Sequence, residues 1–323
     1  MMIWPRCLAL LACVLGVAPA AAQSYPSRPI TIVVPATPGG VTDVLGRTLA
    51  RHLADAWGQQ VIVENKPGAN NQLAAEYTAK SAPDGYTLFI APEVTFVANP
   101  SIYGKLSYDP FKDFTPISGL VIINHALIVN PAVPVASVKD LIALGKARPG
   151  ELNYGTYGLG STGHLNMAML ETLAGVQFVP VHYKGATPAL TDVVAGHIQM
   201  MFVSLGTAMG QWKEGKVRLL AIGAGKRLAT LPEVPTVAEG GLPGYEAVSW
   251  FGLFGPAGMP PDVVAKLNGE VRRILADPEV RRTIIAPQFF ESIAGSPEQL
   301  AGYLKSEAEK WSRVIRDARI KAE

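Results

Sequence analysis

Between residues 30 and 90 the chain alternates between apolar β-branched runs and helical stripes, and few folds accept that rhythm. Ile30-Thr31-Ile32-Val33-Val34 reads as a buried strand. Leu45, Leu49, Leu53 and Trp57 then recur every four residues, and Gly58 closes the stripe as a helix C-terminus. Gln60–Glu64 gives a second strand, and a helix through Leu73, Ala74, Tyr77 and Ala79 follows it. Pro83-Asp84-Gly85 turns the chain, because proline presets φ and glycine supplies the reversed φ. Tyr86–Ile90 is a third strand. A β-α-β-α-β order implies a parallel sheet with right-handed crossovers.

The junction after the first strand, Pro35-Ala36-Thr37-Pro38-Gly39-Gly40-Val41-Thr42-Asp43, carries the first functional signal. A strand, a glycine loop and a helix start aim several unpaired backbone N–H groups at one spot, reinforced by the helix dipole. That is an anion-binding arrangement, with Thr42 or Asp43 available as the helix cap. The plainer alternative is a tight turn that needs Pro-Gly for shape alone. No Gly-Lys-Ser/Thr follows, so it is not a nucleotide phosphate loop of the Walker type.

Around 117–130 two apolar runs, Ile117–Ile123 and Ala126–Val129, follow each other without a helix, marking a crossing into a second domain. The alternation then resumes. Ser137 caps a helix through Leu141 and Leu144, and Leu152–Gly155 is a strand. Gly158-Leu159-Gly160-Ser161-Thr162-Gly163-His164-Leu165 is a second glycine loop opening a helix with Leu165, Met169 and Leu173 on its apolar side. Strands at 178–181, 198–203 and 217–222 alternate with helices at 187–195 and 205–212. Arg227–Tyr245 is rich in Pro and Gly, and Trp250–Phe254 reads as a strand crossing back. Two helices, Pro261–Leu275 and Ser296–Ile315, end the chain. The expectation is two doubly wound α/β domains with a cleft between them. Residues 23–122 with 248–323 form the first, and 123–247 the second. In open α/β sheets ligands sit beyond the carboxyl ends of strands. Each domain places one glycine loop there, so two loops can grip a small anion from both sides.

The second loop has the form of a dinucleotide fingerprint, but the acid expected after the next strand is missing; Val181-His182-Tyr183-Lys184 stands there. A nucleophile elbow at Ser161 fails because Leu159 replaces the required glycine. No spacing supports a catalytic triad. The histidines at 52, 125, 164, 182 and 197 show no metal-ligand spacing, so neither a catalytic residue, a metal nor a cofactor is expected. His164 either donates to a bound carboxylate or braces its loop, and the brace is the preferred reading. Tyr183 lines the cleft or packs in the core.

With 323 residues, 49% of them hydrophobic, the chain has enough apolar material for two real cores. A formal charge of +2 gives no electrostatic case for nucleic acid. Arg6, an apolar run from Cys7 to Val17 and the small residues Ala18–Ala22 read as an export signal cleaved after Ala22. An imperfect lipobox at Leu11-Ala12-Cys13 is the rival. Both cysteines, Cys7 and Cys13, lie in this segment, so the mature chain has no disulfide or thiol chemistry.

Further landmarks accumulate in order: Tyr25-Pro26-Ser27-Arg28-Pro29-Ile30, Pro38-Gly39-Gly40 with Asp43, Glu64-Asn65-Lys66-Pro67-Gly68-Ala69 and Ala82–Leu88. Tyr108-Asp109-Pro110, Gly163-His164-Leu165, Tyr183-Lys184-Gly185, Pro235–Glu239, Trp250-Phe251-Gly252 and Pro256-Ala257-Gly258 follow. Together they resemble the extracytoplasmic solute receptors of tripartite tricarboxylate transporters, the Bug family, across the whole mature chain. The resemblance implies a periplasmic Venus-flytrap receptor, monomeric, that takes a small carboxylate by domain closure and delivers it to integral membrane transporter subunits. Its loops hold the ligand carboxylate through backbone N–H groups, hydroxyls and water. Carried over, the first loop is Ala36, Thr37, Pro38, Gly39, Gly40, Val41, Thr42 and Asp43, with Asn71 nearby. The second is Thr156, Tyr157, Gly158, Gly160, Ser161, Thr162 and His164, and Tyr183 also belongs to the expected site.

The sequence departs from the family pattern near the expected cleft. Val203-Ser204 replaces an aspartate after Phe202, which makes Ser204 a site residue. Asn70-Asn71 replaces a small pair. Glu93 stands where the family has a small or amide residue. Glu93 either faces the cleft, favouring a ligand with an amine or several hydroxyls, or faces solvent, the preferred reading. Two other functions stay open: a sensor built on the same receptor, or an exported enzyme acting on a carboxylate or ester.

Overall fold

The computed structural model of the protein describes residues 25–322; the export segment, its cleavage point and both cysteines lie outside the described residues. The chain begins with β1 (Ile30–Val34), α1 (Val41–Trp57), β2 (Val61–Asn65), α2 (Gln72–Ala79) and β3 (Thr87–Pro92). Two single-turn helices, α3 (Val94–Val97) and α4 (Asn99–Ile102), precede the long strand β4 (Phe114–Ile123). After one residue, Asn124, come β5 (His125–Val129), α5 (Val138–Ala147), β6 (Asn153–Thr156), α6 (Thr162–Ala174) and β7 (Val179–His182). Next are α7 (Ala186–Ala195), β8 (Met200–Ser204), α8 (Leu205–Lys213) and β9 (Arg218–Ile222). The chain ends with β10 (Ser249–Pro256), α9 (Pro261–Ala276), the turn α10 (Pro278–Val280), β11 (Phe290–Ser292) and α11 (Pro297–Asp317).

These strands form two sheets, one ordered β11-β4-β10-β3-β1-β2 and one ordered β7-β6-β8-β5-β9. Strand β1 pairs parallel with β2 and β3, and β6 pairs parallel with β7 and β8. Purely parallel sheets do not result. Strand β10 is antiparallel to β3 and β4, β11 is antiparallel to β4, and β5 is antiparallel to β8 and β9. Of these, β5 and β10 follow a passage from one sheet to the other. A strand arriving from the opposite lobe enters its sheet at the end where the neighbouring parallel strands stop. It must therefore run against them, and its first residue lies level with their last. Thus His125 opens β5 opposite Ser204, the last residue of β8, and Ser249 opens β10 opposite Ile123, the last of β4.

Local chemistry explains the helix limits. Helix α1 buries Leu45, Leu49 and Leu53 against the first sheet and stops at Gly58, whose φ of 65° only glycine takes freely. Its N-cap is Gly40, not Thr42 or Asp43, because the helix begins two or three residues earlier than those side-chain caps would require. Helix α11 has a full capping box: Gln299 N–H donates to Ser296 Oγ, and Ser296 N–H donates to Gln299 Oε1 at 2.7 Å. In α6, Leu165 and Met169 are buried but Leu173 is exposed, because the buried stripe continues through Leu170 and Ala174 instead.

Helices α1 and α9 cover one face of the six-stranded sheet, with Leu49, Leu53, Leu267 and Val271 among its core side chains. The other face packs on α11, and that same core continues through Trp250, Phe254 and Trp311 to Leu165, Phe202 and Tyr245 of the second lobe. Helix α11 therefore contacts both lobes, touching β4 and α3 on one side and α6 on the other. No helix among the described residues is long and apolar enough to cross a membrane.

Candidate functional site

The first glycine turn is built to leave amides free. Gly39 sits at φ 87°, and Val44 N–H makes the first helical bond, to Gly40 O at 3.0 Å. The amides of Val41, Thr42 and Asp43 precede that bond and have no intrahelical acceptor. Asp43 is 2% exposed and works inward. Its carboxylate accepts from Gly39 N–H at 2.9 Å, Arg47 Nε at 2.9 Å and Asn65 Nδ2 at 2.8 Å. The Arg47 hydrogen bond, against the opposing effect of burial, holds this carboxyl down at about 2. Asp43 is thus a permanent anion that fixes the turn and is not offered to a ligand.

The second turn repeats the device. Ser161 is the N-cap of α6, and Leu165 N–H donates to Ser161 O at 2.9 Å, leaving the amides of Thr162, Gly163 and His164 ahead of the ladder. His164 is buried, and its Nδ1 accepts from Gly160 N–H at 3.1 Å. Burial, helped by neighbouring His182, pulls His164 down to about 4, so the ring is neutral and braces the loop. Thr156 Oγ1 lies 2.7 Å from His182 Nδ1 beneath the same loop. Tyr183 packs on the second-lobe core and donates its hydroxyl to Asp192 Oδ2 at 2.6 Å, away from the turn.

Both turns line one cleft of about 770 Å³ between the lobes. Of the residues expected from sequence, Thr37, Gly39, Gly40, Val41, Thr42, Asn71, Glu93, Tyr157, Ser161, Thr162 and Ser204 lie on its walls. Ala36, Pro38, Asp43, Thr156, Gly158, Gly160, His164 and Tyr183 do not. Gly160 instead faces Ile102 of the first lobe, where a Cβ would collide with the Ile102 side chain. Neighbouring Asn70 is pinned by Asn99, to which it donates from Nδ2 at 2.7 Å.

The cleft also contains residues that sequence reasoning missed: His125, Ser249, Thr207 and the segment Lys184–Pro188, with Gln288 and Phe290 from the chain's end. His125 and Ser249 are missed because the rule about carboxyl ends of strands finds where strands stop, and these two open the crossing strands. Lys184–Pro188 leads into α7, whose N-cap is Gly185, and Ser204 is the N-cap of α8. The N-terminal ends of α1, α6, α7 and α8 therefore all border one cleft. Each such end favours an anion by about 0.3–1 kcal/mol when exposed and up to ~2 kcal/mol when partly buried.

Glu93 does not face solvent, the preferred reading from sequence; it lines the cleft. It is 2% exposed, on the cleft wall, and bridges the lobes: Thr162 Oγ1 donates to Glu93 Oε1 at 2.7 Å. Among the described residues its Oε2 has no hydrogen-bond partner. Burial pushes this carboxyl up to about 7, with the Thr162 hydrogen bond pulling the other way and Glu307 adding to the rise. The folded state thus holds a proton that the unfolded chain, near the ordinary 4.5, gives up. The stabilising difference is present below 4.5 and is lost as pH rises through about 7. Glu93→Gln is therefore expected to be more stable than the parent at pH 8 and not at pH 5. Urea unfolding at the two pH values reads this, and an equal difference at both would contradict it.

His125 is 4% exposed, with Nε2 2.8 Å from Ser249 Oγ, and burial pulls it down to about 4. This serine–histidine contact lacks the third group of a nucleophilic site, since among the described residues Nδ1 has no partner. General-base catalysis is most efficient when the base's pKa lies near the working pH, and burial moves His125 away from it. Among the described residues no three His, Cys, Asp or Glu side chains gather to hold a metal ion.

Residues 45–320 match the model of the tripartite tricarboxylate transporter family receptor. The chain is 34% identical over 305 residues to BugT of Bordetella pertussis, covering 94% of this chain and 93% of that one. Among solved structures it is similar to Rpa4515 of R. palustris with adipate, at 36% identity and TM-score 0.85, over 92% of this chain and 100% of that chain. It is also similar to MatC of Rhodopseudomonas palustris with bound malate, at 33% identity and TM-score 0.79, over 90% and 100%. By the family match and by these relatives, the chain belongs to the tripartite tricarboxylate transporter receptor family.

Proposed function

We propose that this protein captures a small carboxylate in the inter-lobe cleft and hands it to the integral membrane subunits of a tripartite transporter. The observation that carries this reading is the convergence of four helix N-termini on one cleft. Micromolar affinity needs about 8 kcal/mol, more than one helix end supplies. Several charge-assisted hydrogen bonds at about 1.5–3 kcal/mol each reach that scale once water is excluded. Closure of a lobe made of 23–122 and 248–323 on a lobe made of 123–247 would exclude it, and the closed form is what the transporter would recognise. The mature protein, cleaved after Ala22, would work in the periplasm as a monomer. In this reading it is a receptor and not an enzyme, as the match to a receptor family supports.

The adipate and malate held by the two R. palustris relatives, both dicarboxylates, support four- to six-carbon carboxylates as the first ligands to try. Mass spectrometry of the small molecule that co-purifies, followed by re-incubation, tests the reading. A receptor returns the ligand unaltered, and a changed mass would mean an enzyme. Ser161→Ala removes a buried hydroxyl on the cleft wall that has no partner among the described residues. Affinity for the recovered carboxylate is expected to fall about tenfold, the worth of one such hydrogen bond. Unchanged calorimetric affinity would remove Ser161 from the site.

A further inference from the structure

Resting on the receptor reading above, we propose that Glu93 acts as a built-in carboxylate at the second turn. The receptor then selects ligands with one carboxylate and, at the other end, a hydrogen-bond donor, ammonium or hydroxyl. The relatives from R. palustris hold dicarboxylates, so a second carboxylate is what this chain has the means to replace. Glu93 comes from the end of β3 in the first lobe, yet its carboxyl is bound by Thr162, the first residue of α6 in the second. The chain's own acid therefore already sits at one of the helix ends that border the cleft. Its Oε2 is buried and, among the described residues, unpartnered, and an orphaned buried acceptor is costly until a donor reaches it.

The surroundings argue the same way. Among the described residues the cleft lining carries one cation, Lys184, and that side chain is exposed. Among the described residues that lining offers no buried positive charge to hold a second ligand carboxylate beside Glu93, and two carboxyls sharing a site disfavour each other's ionisation. The nearby His125 and Ser249 are neutral hydrogen-bonding groups, suited to a polar uncharged or donor end. The opposite wall, at the turn of Gly39–Thr42, offers amides and no acid on the cleft lining, so the ligand's carboxylate belongs there.

The test is calorimetry at pH 8 on the parent protein and on Glu93→Gln, with Glu93→Ala as a second variant and thermal melts as the folding control. The probes are adipate, 6-hydroxyhexanoate and 6-aminohexanoate, and their four-carbon counterparts succinate, 4-hydroxybutyrate and 4-aminobutyrate. In the parent, the hydroxy or amino acid is expected to bind at least about tenfold tighter than the dicarboxylate of equal length, the factor that one pKa unit of charge interaction represents. In the variants that preference is expected to vanish or invert. A parent that prefers the dicarboxylate, or a preference unchanged in both variants, would overturn the assignment. So would dicarboxylate binding by the parent that strengthens from pH 8 to pH 6 and loses its pH dependence in Glu93→Gln, because Glu93 would then be a protonated donor to a second carboxylate. Silence of all three proteins toward every probe overturns the carboxylate-receptor reading itself.

Discussion

Trp311→Ala is expected to lower the free energy of unfolding by about 3–5 kcal/mol, the range for truncating a fully buried tryptophan. Trp311 is 1% exposed in α11, in the core that runs from the first sheet into the second lobe. Its indole Nε1 donates to Glu307 Oε2 at 3.1 Å, so truncation leaves both a cavity and a buried carboxylate oxygen without its donor. Lys310, 2.6 Å from Glu307 Oε1, remains to neutralise the charge. Urea unfolding of the parent and the variant measures the loss. A change below about 1 kcal/mol would mean that the inter-lobe core is loosely packed around α11 and collapses into the gap.

Gly160→Val is expected to weaken carboxylate binding by about 100-fold or more, corresponding to some 2.8 kcal/mol. Two independent causes act together. Gly160 sits at φ 69°, where a β-branched residue costs about 1–3 kcal/mol. The added Cβ also runs into the Ile102 side chain on the opposite lobe, so the substitution wedges the lobes apart. The two causes separate experimentally. Adding Ile102→Ala relieves the wedge and leaves the backbone strain, so affinity should recover in part. Full recovery would assign the whole effect to the clash, and no recovery would assign it to the reshaped turn. Affinity in Gly160→Val equal to that of the parent would show that the present apposition of the lobes is irrelevant to capture.

The two substitutions probe different links of one chain of causes. Trp311 concerns how the lobes are held along their shared core, and Gly160 concerns how closely their edges meet. A Trp311 variant that loses stability but keeps its affinity, beside a Gly160 variant that behaves oppositely, would separate the scaffold from the grip.

Much of the fold is legible in local pattern. The stripe Leu45, Leu49, Leu53 is buried as its four-residue spacing requires, and Ile30–Val34 is a buried strand. The glycine turns at 39–40 and 158–163 are visible because backbone amides at a helix start need no particular side chain, only a strand, small residues and a helix in that order. The preferred reading of His164 as a brace follows from its place in the first turn, and its Nδ1 does accept from Gly160 N–H. The antiparallel entry of β5 and β10 is not legible, since direction within a sheet depends on which lobe the chain has come from.

What the sequence by itself determined is therefore most of the elements, though not α3, α4, α10 or β11, together with the family and the two amide-lined turns; the elements and the turns were legible because they rest on residues near each other in the chain. The tertiary structure alone decided the far wall of the cleft. His125 and Ser249 reach it as the first residues of the two strands that cross between lobes, and Lys184–Pro188 reaches it from the turn between β7 and α7; the crossings are visible in the sequence, but which residues they bring level with the strand ends is not. It also decided the fate of Glu93, which looks like a surface acid by composition. The carboxyl is buried among residues distant in the chain, and Thr162, 69 residues away, holds it from the other lobe.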